Sequence, residues 1–209
     1  MIVRNTRRYY VLALIAVPTF LLAFSACASS AGRSPDDVER LSAKLTPFTY
    51  YDEGDLAFIG ADTRAAGYIK DESMFPVGIA IVNKTLKSMT VSRESFTLED
   101  SEGKHYLLVS YEEFRNSYRR SNTDDRLSDN FVESMIGRFL NFSRRPLRLF
   151  SNTGSTHNVS NEMEIARRQM ALGYVYFPVP EGGIHQKTFR LLVKMEEFPE
   201  TFVVRFKVR

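Results

Sequence analysis

The chain has 209 residues, 44% of them hydrophobic and 12% aromatic, which is enough to bury a substantial core and too many for general disorder. The formal net charge is +3, but the first 26 residues contain Arg4, Arg7 and Arg8 and no acid. Beyond them the 28 basic residues fall to 25, equal to the 25 acidic ones. A chain without a basic surplus is not built to neutralise a run of phosphates, so no nucleic acid is expected as a partner.

The three arginines precede Tyr9 to Cys27, YYVLALIAVPTFLLAFSAC, a basic head followed by an apolar run that ends in small residues. That order is the pattern of a secretory signal peptide. Phe24-Ser25-Ala26-Cys27 resembles the lipobox of bacterial lipoproteins, with Phe24 where leucine is usual. The resemblance implies a lipoprotein signal peptide over 1–26 and lipidation, palmitate included, of Cys27, which becomes the mature N-terminus. The protein would then be held to the membrane through the lipid on Cys27. Ala28 rather than aspartate follows the cysteine, which favours the periplasmic face of the outer membrane. Cys27 is the sole cysteine, so it has no intramolecular disulfide partner. Two other readings compete. Ala26-Cys27-Ala28 also fits an A-x-A cleavage site of a plain secreted protein. An uncleaved anchor is the third, although Pro18 interrupts an apolar run already short of the ~20 residues that span a bilayer.

Residues 27–35 read as a tether, small, polar and punctuated by Gly32 and Pro35. A domain over 36–209 follows. Ser34, Pro35, Asp36 and Asp37 suit a helix start, and Val38, Leu41 and Leu45 share one face of a short helix that Pro47 stops. From Leu56 the period changes. Phe58 to Tyr68 carries a weak strand signal broken by glycines. In Pro76 to Asn83, Val77, Ile79 and Ile81 alternate with smaller residues, a β pattern. Asn83-Lys84-Thr85 turns the chain, and Met89, Val91, Phe96 and Leu98 continue the alternation. Ser101-Glu102-Gly103 supplies a turn before a return strand from His105 to Val109.

Tyr111 to about Met170 departs from this rhythm and reads as a helical insertion. Tyr111, Phe114 and Tyr118 mark a first helix. Thr123 is placed to cap a second, along which Leu127, Phe131, Val132, Met135, Ile136, Phe139 and Leu140 form one stripe. Arg144-Arg145-Pro146 ends it, and Leu147 and Leu149 start a strand. Glu162 to Met170 is expected to be helical, with Ser160 as its cap. Strands return at Tyr174 to Pro178, Phe189 to Val193 and Phe202 to Val208. The predicted core comprises Ile79, Ile81, Phe96, Leu98, Val175, Phe177, Leu191, Val204 and Phe206.

Ile79 to Thr85, then Phe96 to Asp100 with Gly103, then Gly173 to Pro178 resemble the immunoglobulin-like modules of envelope lipoproteins. The resemblance covers about half of the mature chain. It implies a mainly β fold, an immunoglobulin-like antiparallel β-sandwich with an inserted helical segment, and binding or scaffolding rather than catalysis.

Motifs of chemistry are few. His105, His157 and His185 lie far apart and without partners at metal-ligand spacing, so no metal site is expected. There is no G-x-S-x-G, Walker loop or G-x-G-x-x-G, and no cofactor is expected. The carboxylate pairs Glu112-Glu113, Asp124-Asp125 and Glu196-Glu197 read as solvated or as complements to helix starts. One imbalance stands out between Arg115 and Arg148, where eight arginines face Asp124, Asp125, Asp129 and Glu133. Arginines beside an apolar stripe suit anionic headgroups, an anionic envelope polymer or an acidic envelope protein.

The expected function is therefore a lipid-anchored, non-catalytic binding or assembly module. Its candidate partner-binding residues are Phe131, Met135, Phe139, Arg144 and Arg145. One alternative is a hydrolase of cell-envelope polymers, which requires a cleft with a perturbed carboxylate. Another is a structural lipoprotein without a specific partner.

Overall fold

The structure, a computed structural model, describes residues 47–150 and 159–209. Cys27, the signal segment, the tether, the helix expected before Pro47 and His157 lie outside them.

Alternating apolar residues build most of the strands. In chain order these are β1 (Thr49–Glu53), β2 (Ala57–Asp62), β3 (Met74–Asn83), β4 (Ser88–Ser92), β5 (Phe96–Glu99) and β6 (His105–Leu107). Three helices follow: α1 (Tyr111–Ser117), α2 (Ser121–Leu127) and α3 (Asp129–Arg138). The chain then returns to strands with β7 (Ser143–Pro146), β8 (Glu162–Ala166), β9 (Gln169–Pro178), β10 (Thr188–Val193) and β11 (Phe202–Lys207).

The fold is mainly β. One sheet has the order β1-β2-β3-β9-β7, a second β11-β10-β5-β6, and β4 pairs with β8 in a small third. The pairings are antiparallel except that of β7 with β9, which is parallel. The two larger sheets share one core, a sandwich arrangement. Ile59, Val77, Ile79, Ile81, Val175 and Phe177 of the first meet Phe96, Leu98, Leu191, Val204 and Phe206 of the second. All nine predicted core residues are buried. Phe75 and Phe189 bring their ring centroids to 6.0 Å across this core.

The central strands of the five-stranded sheet are covered on both faces, which is why β3 is buried along its whole length. Odd-numbered positions of β3 enter the sandwich. Even-numbered Ala80 and Val82, with Phe58 and Met170, face α3. Further along the same outer face, Phe114 and Tyr118 of the α1 region cover Tyr176, with ring centroids at 4.4 and 4.9 Å. The Ser110 hydroxyl accepts the Glu113 N–H and starts α1.

Several sequence expectations need correction. Glu162 to Met170 is not a helix: Met163 and Ile165 point inward from β8 while Glu162 and Glu164 point out, and pairing with β4 outweighs the helix propensity of Glu, Met and Ala. Arg144-Arg145-Pro146 does not merely stop a helix but forms most of β7, and Leu147 and Leu149 are buried just after it. Thr123 lies inside α2, and Arg120 occupies the N-cap position. Among the described residues, helices are confined to 111–138 apart from a single 3-10 turn at Ala66–Tyr68.

Candidate functional site

The apolar stripe of α3 is spent within the chain. Phe131, Met135 and Phe139 are buried against Tyr51, Phe58, Ala80, Val82 and Met170. The Phe58 and Phe139 rings meet edge to face at 5.1 Å. The last turn is pinned by Arg138, which pairs with Glu53 and lies 5.1 Å above the Tyr51 ring. Glu53 also receives the Lys84 ammonium at 2.6 Å. Burial alone would raise the Glu53 pKa, but Lys84 and Arg138 outweigh it and hold the carboxyl below its ordinary range. As candidate partner contacts, Phe131, Met135 and Phe139 are therefore corrected to core residues. Leu140, one residue beyond Phe139, is 76% exposed.

Arg144 and Arg145 have a different setting. Strand β7 ends the five-stranded sheet, and all four of its residues are exposed. The Ser143 N–H donates to the Arg168 carbonyl and the Leu147 N–H to the Leu172 carbonyl, so odd-numbered residues bond to β9. Strand alternation turns the backbone groups of Arg144 and Pro146 outward. Proline suits that position, because its missing N–H falls on the open side. Arg144, Arg145, Pro146 and Leu172 line a shallow groove. The Arg145 guanidinium donates to the Glu164 carbonyl at 3.0 Å.

The turn between β8 and β9 adds to this edge. Arg167 donates its N–H to the Lys87 carbonyl, and Arg168 donates its own to the Asn83 carbonyl. The Arg168 guanidinium stands 5.8 Å from the Phe142 ring. Lys87, Arg144, Arg145, Arg167 and Arg168 are all exposed, and among the described residues none of them forms an ion pair. Sequence reading found Arg144 and Arg145, but Lys87 joins them only through the β4–β8 pairing.

The perturbed carboxylates lie elsewhere. Asp124 on α2 is 0% exposed, contrary to the solvated role expected of the Asp124-Asp125 pair. The Tyr118 hydroxyl donates to Asp124 Oδ2 at 2.6 Å, and the Tyr174 hydroxyl donates to the Asp124 carbonyl at 2.6 Å. Asp124 Oδ1 and Tyr176 Oη are buried without hydrogen-bond partners among the described residues. Burial pushes the Asp124 pKa up to about 7, against the Tyr118 hydrogen bond and Arg120, with Asp125 and Glu72 adding to the rise. Asp62, 3% exposed, is likewise pushed up to about 6 by burial, despite hydrogen bonds from the Arg64 N–H and the Thr49 hydroxyl. Both carboxylates are sealed beneath packed side chains.

His105 is exposed beside Glu99, and the His185 ring lies 2.7 Å from the Ile69 carbonyl. Among the described residues no group of His, Cys, Asp and Glu is placed to hold a metal ion, and no helix is long and apolar enough to cross a membrane. The fold and the arginine-lined edge define a mainly β protein with one strongly basic corner. No protein-family model, curated protein or solved structure matches the chain.

Proposed function

We propose that the protein is a lipid-anchored envelope protein, an immunoglobulin-like binding or assembly module tethered through Cys27, whose basic corner meets an acidic envelope surface. The observation that carries the binding role is the set of exposed guanidiniums of Arg144, Arg145, Arg167 and Arg168 at the open end of one sheet, none of them in an ion pair among the described residues. Guanidinium is weakly hydrated and forks onto carboxylate or phosphate, so it gains more from such a surface than from water. The anchor rests on Phe24-Ser25-Ala26-Cys27.

Two measurements test the reading together. Metabolic labelling with a fatty-acid analogue should mark the wild type and not Cys27→Ser; label retained by the variant overturns the anchor. Cross-linking in cells from a photoreactive side chain at Arg167 should capture envelope components, and the yield should fall when Arg144 and Arg145 become glutamate. An unchanged yield overturns the binding face.

The rival reading, a hydrolase of envelope polymers, draws on the raised pKa values of Asp62 and Asp124. The same two groups fit a packing role, because each is hydrogen-bonded within the interior.

A further inference from the structure

We propose that the corner where α3 runs into β7 and β8 turns into β9 docks on an anionic lipid bilayer, an inference that deepens the membrane-tethered reading and rests on it. Two kinds of side chain meet there. Leu140 projects from the end of α3 at 76% exposure, and Phe142, half-buried, packs edge to face on Phe139 at 5.4 Å. The Arg168 guanidinium stands 5.8 Å from the Phe142 ring, and the Ser143–Arg168 and Arg167–Lys87 backbone hydrogen bonds bring Lys87, Arg144, Arg145, Arg167 and Arg168 to the same edge of the fold. The outward acids of the adjoining strand, Glu162 and Glu164, form no ion pair with them among the described residues. A headgroup layer satisfies both kinds at once, because phosphates take the guanidiniums while the apolar tip reaches the acyl boundary. A soluble acidic polymer would leave Leu140 without a use.

The backbone supplies an independent observation. Arg168 sits at φ 57, the left-handed region that glycine enters freely and other residues enter at an energetic cost. Glycine there would keep both backbone bonds of the residue, the N–H to Asn83 and the carbonyl from Ser143. An arginine at this position is therefore unfavourable for the turn, and its guanidinium stands exposed beside the Phe142 ring at this corner.

The test is flotation of the full chain carrying Cys27→Ser, so that no acyl chain contributes, with phosphatidylcholine vesicles that either contain or lack phosphatidylglycerol. Arg4, Arg7 and Arg8 are common to parent and variants, so differences between them report on the corner. The parent should prefer anionic vesicles, and salt should weaken that preference. Arg168→Gly should weaken binding to anionic vesicles about fivefold while melting at the same or a higher temperature than the parent. Leu140→Ser should weaken binding to both vesicle types. A preference unchanged by Arg168→Gly and by the Arg144→Glu, Arg145→Glu pair overturns the proposal. So does arginine-dependent binding seen only with purified peptidoglycan. An unlabelled Cys27 would remove the anchor without changing any of these vesicle results, so the two failures are distinguishable.

Discussion

The Tyr118 hydroxyl donates a 2.6 Å hydrogen bond to the Asp124 carboxylate six residues along the chain, closing the bend between α1 and α2 over the outer face of the sheet. The Tyr174 hydroxyl, from β9, grips the backbone carbonyl of the same aspartate. The bend between α1 and α2 is thus tied to β9 through one buried acid, beside the packing of Phe114 and Tyr118 on Tyr176.

That fastening makes stability depend on pH. The folded pKa of Asp124, about 7, lies above the usual carboxylate value of 3.8, so the folded state holds more protons between those limits. Its contribution is fully present below pH 4 and is lost as pH rises through 7. Asp62, at about 6, acts in the same direction. The protein should melt at a lower temperature at pH 8 than at pH 5.5, and Asp124→Asn should reduce that difference. Thermal melts of both proteins across the range check it; an equal pH slope in the variant would remove Asp124 as the cause.

Core truncation should separate packing from surface roles. Phe206→Ala and Phe131→Ala each delete a buried ring and should destabilise by about 3–5 kcal/mol in denaturant titration. A near-neutral Phe131→Ala would mean that α3 does not rest on the sheet.

Gly173 of β9 lies against Leu147, the residue that follows β7. A Cβ there would meet the Leu147 Cβ and carbonyl oxygen at 2.9 Å. One of these contacts is backbone, so Gly173→Ala must push β7 outward, at a cost of about 1–3 kcal/mol. Hydrogen exchange should show faster exchange at Ser143 and Leu147, whose amides donate to the Arg168 and Leu172 carbonyls.

Glu53 joins Lys84 beside the β3 strand end to Arg138 on α3. These side chains are partly exposed, so Glu53→Gln should cost only about 1 kcal/mol. The difference from wild type should shrink at high salt, read from melts at two ionic strengths.

Strand positions were legible wherever large apolar residues alternate with smaller or polar ones. Ile79, Ile81, Val204 and Phe206 declare their facing in the sequence, and the structure buries all four. Glu162 to Ala166 misled because its composition favours a helix, while its pairing partner, β4 (Ser88–Ser92), lies far away in sequence. The stripe Phe131, Met135, Phe139 was visible, but a period says only that a face is apolar and not what covers it. Asp124 escaped notice because a pair of acids near a helix start ordinarily meets water. Only the approach of Tyr174, fifty residues away, reveals its burial. Arg144 and Arg145 were found through charge, yet their place in a parallel terminal strand depends on β9, which the local sequence does not specify.

The outward backbone of β7 has a consequence for a crowded population. The open end of a sheet invites a second copy to add its own strand, and tethering to a surface raises the frequency of such encounters. Here Pro146 supplies no N–H, so the outward row of Arg144 and Pro146 offers a single amide donor beside two carbonyls. A copy approaching in register would also set its own arginines against these. The strand therefore resists the growth of intermolecular sheets through this end, which under the proposed anchoring would let many copies share one surface without aggregating there.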